Sequence, residues 1–465
     1  MKIVLLNPPV NPDDVYGGMA RVTSSVPPQG LCQIAALVRT RHPKVDIRIL
    51  DSQALDIGIE TTVEKIVEYE PDILGLSIYT SKLNLSVALV DELVKARGGK
   101  KPLIIAGGPH ATFSGSSLIK AHPHFDLAVV GEGEEPLCDI VKSCAAGLPL
   151  DKVKGLIIRS GGGVARTEGR PPLPDLDVLP LPAWDLLPTL KQYYRLTGCK
   201  VKNEGSSGMS IITSRGCPGK CSFCNPRGLG GHTRHHSAEY IPRMIRDLHD
   251  NFGIRELYIQ DDMFTADRDH VLKVCDLLMK SGLDLPWTCN LRVDYIDREV
   301  LRRMKQAGCW QVSVGIESGS QEILEVINKG TTVKQNLDAT SLCRELGIDV
   351  MGLFMLGVFN ETRQTLQATF DFINKAYLTD IQVTFFTPLP GTLSWRQWPK
   401  YGTFNENSNA AFHIRPTFIP RGFTEEELIR YQMRLYRQFY LKPRILYRYL
   451  KMFVNPRLTA RLIQN

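Results

Sequence analysis

Three cysteines crowd into eight residues, Cys217, Cys221 and Cys224, in the run SRGCPGKCSFCNPRG directly after the strand-like IITS. Three thiolates are one ligand short of a tetrahedral structural zinc site, and no histidine in the run completes one. They suit a [4Fe–4S] cluster with one iron left open, because cluster iron prefers thiolate sulfur. Spacings of four and three also fit one face of a helix, packed as a plain apolar stripe. Gly216, Pro218 and Gly219 disfavour a regular helix, and Lys220, Asn225 and Arg227 make the surroundings polar. The other eight of the eleven cysteines (32, 138, 144, 199, 275, 289, 309, 343) are scattered. Most lie in apolar-periodic segments and read as buried small side chains.

CPGKCSFC resembles the CxxxCxΦC signature of radical S-adenosylmethionine (SAM) enzymes, with Phe223 at the aromatic position. The resemblance implies that the open iron chelates SAM, and that cluster reduction cleaves SAM to a 5′-deoxyadenosyl radical. IQDDMFT (259–265), NLRVD (290–294), GIESGS (315–320), GVFNET (357–362) and TPLPGT (387–392) look like this superfamily's later strand-end motifs. From them the resemblance implies SAM contacts at Gln260, Arg292, Glu317 and Ser318. Taken singly, GIES could be a strand end with a capping serine, and Asp261 or Asp262 an N-cap. Many relatives carry paired arginines after the cluster loop. Here the run is Thr233-Arg234-His235-His236-Ser237, and adjacent histidines in a polar loop are expected to be solvated.

These residues need strand ends to hold them. Residues 1–150 alternate β-branched runs (KIVLL, VDIRIL, DILGLSI, PLIIAGG, DLAVVGEG) with amphipathic segments, which describes a doubly wound, Rossmann-like α/β sheet. Ligands of such sheets bind beyond the strands' carboxyl ends. There the sequence places Asn7-Pro8-Pro9, Ser77 to Ser81, Gly107-Gly108-Pro109-His110 and Gly131-Glu132-Gly133-Glu134. Residues 151–208 read as a proline-rich extended linker. From 209 to 395 six strand–helix units fit a partial (β/α)6 barrel, and barrel active sites gather at the strands' carboxyl ends. Residues 396–465 read as a loop and a basic, aromatic helical region.

PPQGLCQIAALV, GLSIYT, AGGPHATF and VVGEGEEPL resemble the cobalamin-binding domain that precedes the barrel in one large radical SAM branch. The resemblance implies cobalamin contacts at Ser77, Thr80, Gly107, Gly108, His110, Gly131 and Gly133. No DxHxxG cobalt-ligating motif is present, so His110 is expected to line the corrin rather than bind cobalt. A methylthiotransferase would need three more cysteines in front, where only Cys32 precedes Gly131. The resemblance therefore implies a cobalamin-dependent enzyme that methylates an unactivated carbon of a small biosynthetic intermediate, hydrophobic where it is delivered from a membrane, with an external electron donor. Ring formation or rearrangement on a tetrapyrrole, lipid or sugar-like group is the alternative within the class. A non-catalytic cobalamin or iron–sulfur sensor is the alternative outside it, disfavoured by the strand-end set.

Composition narrows the partners. Of 465 residues, 43% are hydrophobic and 23% charged, the balance of a globular chain. The net charge of +7 concentrates from Arg421 onward, where ten basic residues face three glutamates. A near-neutral body argues against nucleic acid. The tail is expected either to pack aromatics on the barrel or to touch an anionic membrane surface. Met1 leads straight into KIVLL, so no secretory leader is expected. An odd cysteine count adds a reducing compartment, and the cytoplasm is the expected location.

Overall fold

The computed structural model describes residues 1–10, 26–98, 101–194, 196, 202, 207–225, 232–405 and 415–453. Cys199, Arg227 and the tail beyond Phe453 lie outside the described residues. In the front domain, β1 (Lys2–Asn7), β2 (Asp46–Asp51), β3 (Ile73–Ser77), β4 (Leu103–Gly107) and β5 (Leu127–Val129) pair in parallel. These five lie in the sheet order β2-β1-β3-β4-β5. Helices α1 (Gln29–Arg41), α2 (Ile59–Tyr69), α3 (Leu83–Ala96), α4 (Gly108–Ala121) and α5 (Glu134–Ala145) connect them. Ile3, Val4, Leu5 and Leu6 are all buried, as expected of a strand covered on both faces.

α4 is not legible in the sequence, because Ser114, Gly115, Ser116 and Ser117 are weak helix formers. The expected linker departs further from expectation. It begins with an antiparallel hairpin, β6 (Leu156–Ser160) and β7 (Gly163–Arg166), that extends the front sheet. Gly161 and Gly162, both at positive φ, close its tight turn. The following prolines do not solvate the chain either. Leu176, Leu179, Trp184 and Tyr194 between them are buried, and Trp184 belongs to one apolar core running from Ile3 to Leu257. The segment is a wedge between the two domains, because its leucines and aromatics have apolar surface to bury.

The barrel sheet runs β15-β14-β13-β12-β11-β8, an open six-stranded parallel sheet. Its strands are β8 (Gly208–Ile211), β11 (Glu256–Ile259), β12 (Trp287–Leu291), β13 (Cys309–Glu317), β14 (Asp349–Leu356) and β15 (Asp380–Phe385). Two further short strands, β9 (Ser214–Arg215) and β10 (Arg234–His235), pair with each other beside β8. Helices α6 (Tyr240–Phe252), α7 (Arg268–Lys280), α8 (Arg298–Gln306), α9 (Val333–Glu345) and α10 (Arg363–Lys375) complete the units.

The loop expected after residue 395 carries a strand pair, β16 (Gly402–Phe404) and β17 (Phe418–Pro420), before the helical region begins. Phe418 is buried against Phe359 and Phe386, which gives this pair its own apolar anchor. α11 (Glu425–Tyr440) opens on a capping box between Thr424 and Glu427, and α12 (Pro443–Phe453) follows. Tyr436 donates to the Val383 carbonyl, and Tyr440 and Tyr449 donate to Asp380, so these aromatics pack on the barrel. Among the described residues no helix is long and apolar enough to cross a membrane.

Gly319 shows how tightly the barrel fixes its strand ends. A Cβ there would stand 2.5 Å from the Ala368 carbonyl oxygen and 2.5 Å from Phe372 Cβ, both on α10. Gly319→Ala is expected to cost about 3 kcal/mol, the upper range for overpacking. Chemical denaturation checks this, and a loss under about 0.5 kcal/mol, the surface-substitution range, contradicts it.

Candidate active site at the facing strand ends

Gln260, Asp261 and Asp262 follow β11. Asp261 is buried, and its carboxylate accepts from the Thr213 hydroxyl at 2.6 Å and the Ser214 hydroxyl at 2.7 Å. Burial pushes this carboxyl up to about 6, against those donors. Asp262 accepts from the Gly216 N–H at 3.2 Å. The two aspartates therefore fix the chain entering the cysteine loop, and the N-cap of α7 is Asp267 instead.

The loop is fastened from below as well. Ser222 N–H donates to the Ile327 carbonyl at 2.9 Å, and Ser394 N–H donates to the Ser222 carbonyl at 3.0 Å. Asn225 donates to the Gly391 carbonyl at 2.6 Å. Phe223 is half-buried and packs against the apolar cluster of Ile323, Leu324 and Phe359.

Cys217 and Cys221 are half-buried and Cys224 is exposed. Gly219 N–H donates to Cys217 Sγ at 3.4 Å, and Arg292 Nη1 donates to Cys221 Sγ at 3.3 Å. A Cβ at Gly219 would meet Arg292 Nη1 at 3.1 Å and Cys217 Sγ at 3.3 Å, so glycine lets the loop close on the sulfurs. Burial raises the Cys217 thiol. Enclosure by protein, then Asp262 and the other two thiols, pushes Cys224 up to about 12. The thiols are gathered in one loop rather than converged: among the described residues no ready set of three His, Cys, Asp or Glu ligands is formed. Three thiols in one loop, with N–H donors on two of the sulfurs, fit an iron–sulfur cluster, whose sulfurs accept such bonds.

Arg292, only 8% exposed, also reaches Asp294 at 2.9 and 3.0 Å and the Lys329 carbonyl at 2.6 Å. Lys329 in turn pairs with Glu317 at 2.7 Å, and Glu317 adopts a left-handed backbone, φ 64°. Ser318 is buried, bonded to Thr369 at 3.1 Å. Gln260 Oε1 is buried without a hydrogen-bond partner. An orphaned acceptor beside a charged strand-end row fits a polar ligand such as SAM.

In the front domain Gly108, at φ 87°, lets α4 start against Ile78, where a Cβ would meet backbone at 2.9 Å. His110 is buried, its Nδ1 3.1 Å from Thr80 Oγ1, and burial lowers it to about 4, so it is neutral. Ser77 ends β3 beside Gly107, and Gly131 N–H donates to Thr112 at 3.1 Å. These residues line the carboxyl edge of one sheet, as expected. Sequence reasoning missed Lys82 there. It is buried, bonds Asn7 and Gln53 at 2.7 Å each, and is lowered to about 8 by burial.

The two carboxyl edges face each other. Gln29, opening α1, bonds both the N–H and the carbonyl of Ile212 at 2.7 Å. Phe113 of α4 abuts Gly391. Tyr79, at the front-domain edge, is 52% exposed, and its phenol is raised by surrounding protein and by the charge of Asp262 at the end of β11.

The expected solvation of the histidine pair is overturned. His235 stacks on His270 at 4.7 Å, and His236 is buried, 3.2 Å from Asp177 and stacked on Tyr240. The wedge brings Asp177 to it. Burial lowers His236 to about 4 despite Asp177. Its folded value lies below the ordinary 6.5, so the unfolded chain takes up this proton first and stability falls as pH drops from about 6.5 to about 4. His236→Gln is expected to lose less stability than the parent over that window, by up to about 1.4 kcal/mol per pH unit. Parallel pH profiles of unfolding free energy contradict this.

Family comparisons agree with this geometry. Residues 17–141 match the B12 binding domain and residues 211–373 the Radical SAM superfamily. An uncharacterized methyltransferase of Pyrococcus horikoshii is 32% identical over 463 residues, covering 96% of this chain and 94% of that one. An anaerobic magnesium-protoporphyrin IX monomethyl ester cyclase of Cereibacter sphaeroides is 28% identical, covering 95% of this chain and 71% of that one. Among solved structures, the cobalamin-dependent SAM radical enzyme OxsB superposes with TM-score 0.68 at 21% identity. The match covers 82% of this chain and 53% of OxsB, about half its length. The methyltransferase TsrM of Kitasatospora setae gives 0.66 at 18% identity, covering 86% of this chain and 75% of TsrM. These two likenesses establish the fold. By its sequence relatives and both domains, the chain belongs to the cobalamin-binding radical SAM enzymes, whose cofactors are a [4Fe–4S] cluster, SAM and cobalamin.

Proposed function

We propose that this enzyme transfers a methyl group to an unactivated carbon of a small molecule held between the two domains. The observation that carries the reading is the facing of the two strand-end edges, joined by the Gln29–Ile212 bonds and by Phe113 against Gly391. Bound together, the cofactors supply a reducing electron, a hydrogen-abstracting group and a methyl carrier. Cys217, Cys221 and Cys224 would hold the cluster, with Arg292 and the Gly219 N–H donating to its thiolates. Gln260, Glu317 and Ser318 would bind SAM, and Phe223 would shield the loop's apolar side. Ser77, Thr80, Gly107, Gly108, Gly131 and Gly133 would line the corrin. A neutral His110 tied to Thr80 would do the same rather than bind cobalt. Residues 1–150 would form the cobalamin unit, 151–208 the connection and 209–395 the catalytic unit, with 396–465 as an appendage. An external one-electron donor would reduce the cluster.

Product analysis with candidate substrates tests the reading. S-adenosylhomocysteine and 5′-deoxyadenosine formed in step with product support methyl transfer. 5′-Deoxyadenosine without S-adenosylhomocysteine supports ring formation instead, the reading favoured by the cyclase relative.

The tail supports a peripheral contact. Leu441, Leu446, Tyr447 and Leu450 are exposed together on α12 and the turn before it. Arg430 and Arg437 add positive charge on α11. Leu441 shares one surface with Met433, Arg430 and Arg437, and such a mix of basic and apolar groups suits an anionic bilayer. The full chain is expected to sediment with anionic vesicles and not with neutral ones. Equal behaviour toward both overturns this contact.

A further inference from the structure

Two arginines face each other at the neck of the cysteine loop. In the β9–β10 bridge Arg215 pairs with Arg234 and Ser214 with His235, and residues 216–233 between them carry the three cysteines. Like charges directly opposite on paired strands repel. A bridge of two residue pairs has few hydrogen bonds to resist that repulsion.

The counter-charge comes from the other domain. Glu132, in the turn after β5, accepts from Arg234 Nη2 at 2.7 Å and Nη1 at 3.2 Å, and pairs with Arg215 Nη1 at 2.9 Å. Glu134 takes Arg215 Nη2 at 2.6 Å. Leu173 N–H donates to Glu132 at 2.9 Å, which ties in the wedge as well. The side chains of Arg234 and Glu132 are only 11% and 12% exposed, so solvent screens them weakly. Burial pushes the Glu132 carboxyl up, but Arg234 and Arg215 outweigh it and hold it below its ordinary value. Two arginines and two glutamates balance, and removing one carboxylate leaves an uncompensated, half-buried cation.

We propose that Glu132 is a positioning residue: it closes the neck of the cysteine loop from the front domain, so that the loop is cluster-ready only when the two domains are docked. The inference rests on the reading that the cysteine loop holds the cluster. Glu132 stands between Gly131 and Gly133, which are expected to line the corrin. Cobalamin seated against that turn would therefore bear on the neck of the cluster loop.

The test is amide hydrogen exchange over 216–225 in the full, cofactor-free chain, with iron per chain after anaerobic reconstitution as a second readout. Glu132→Gln is expected to speed exchange there about tenfold, the effect of roughly one lost charge-assisted hydrogen bond, and to lower iron content. Glu132→Gln combined with Arg234→Gln restores the charge balance. It is expected to return protection to within about twofold of the parent, as coupled sites do in a double-mutant cycle. A purely packing role would not be rescued by deleting an arginine. Unchanged exchange in the single variant overturns the proposal, as does a double variant as loose as the single. An increase spread evenly over all strands overturns it too. A parent chain that takes up no iron would count against the cluster reading alone, since the exchange comparison needs no cofactor.

Discussion

Replacing Cys217, Cys221 and Cys224 together with alanine is expected to reduce reconstituted iron from about four per chain to near zero. 5′-Deoxyadenosine formation should vanish with it. The fold should survive, because the thiols are half-buried or exposed and the loop is held by other groups. Asp261 and Asp262 fix its entrance, and Ile327, Gly391 and Ser394 fix its interior. The expected result is thus a variant with parental melting behaviour and no cluster. The scattered cysteines buried in the cores cannot substitute. Cys32, Cys275, Cys289, Cys309 and Cys343 are buried in apolar cores, and burial raises Cys275 and Cys343 to about 12. Retention of about four irons by the triple variant contradicts the assignment.

The second large effect is expected at Arg292. Its guanidinium stands 3.3 Å from Cys221 Sγ, is 8% exposed, and is held by Asp294 and the Lys329 carbonyl. A fixed cation with an N–H aimed at a ligating sulfur stabilises the more negative, reduced state of a cluster. A charge-assisted hydrogen bond is worth about 1.5–3 kcal/mol. Arg292→Met, which keeps the bulk and removes the charge, is expected to lower the cluster's midpoint potential by on the order of 50–100 mV at 59 mV per tenfold change for one electron. Iron content should stay parental. A redox titration followed by electron paramagnetic resonance reads the shift, and an unchanged potential assigns Arg292 to structure alone.

The elements that carry chemistry were largely legible because parallel strands buried on both faces read as continuous apolar runs. DILGLSI and QVSVGIES each sit in a strand whose carboxyl end bears an expected site residue. What escaped the sequence has local or long-range causes. α4 hid behind Gly115 and three serines, and the β6–β7 hairpin behind a glycine run that reads equally well as linker. The wedge looked extended because proline removes helical periodicity, although Trp184 and Tyr194 within it are among the most buried large side chains. The interdomain contacts were illegible in principle. Gln29 meets Ile212 across 183 positions and Arg215 meets Glu134 across 81, separations at which no periodicity pairs residues. Hence His236 looked solvated until Asp177 was brought to it.

All the chemistry rests on a cluster held by three cysteines with one iron open to SAM. Its most direct test is the electron paramagnetic resonance spectrum of the reduced, reconstituted chain, before and after SAM is added. A [4Fe–4S] signal whose g-values shift on adding SAM, absent from the triple alanine variant, is the predicted result. A signal that SAM leaves unchanged contradicts the claim.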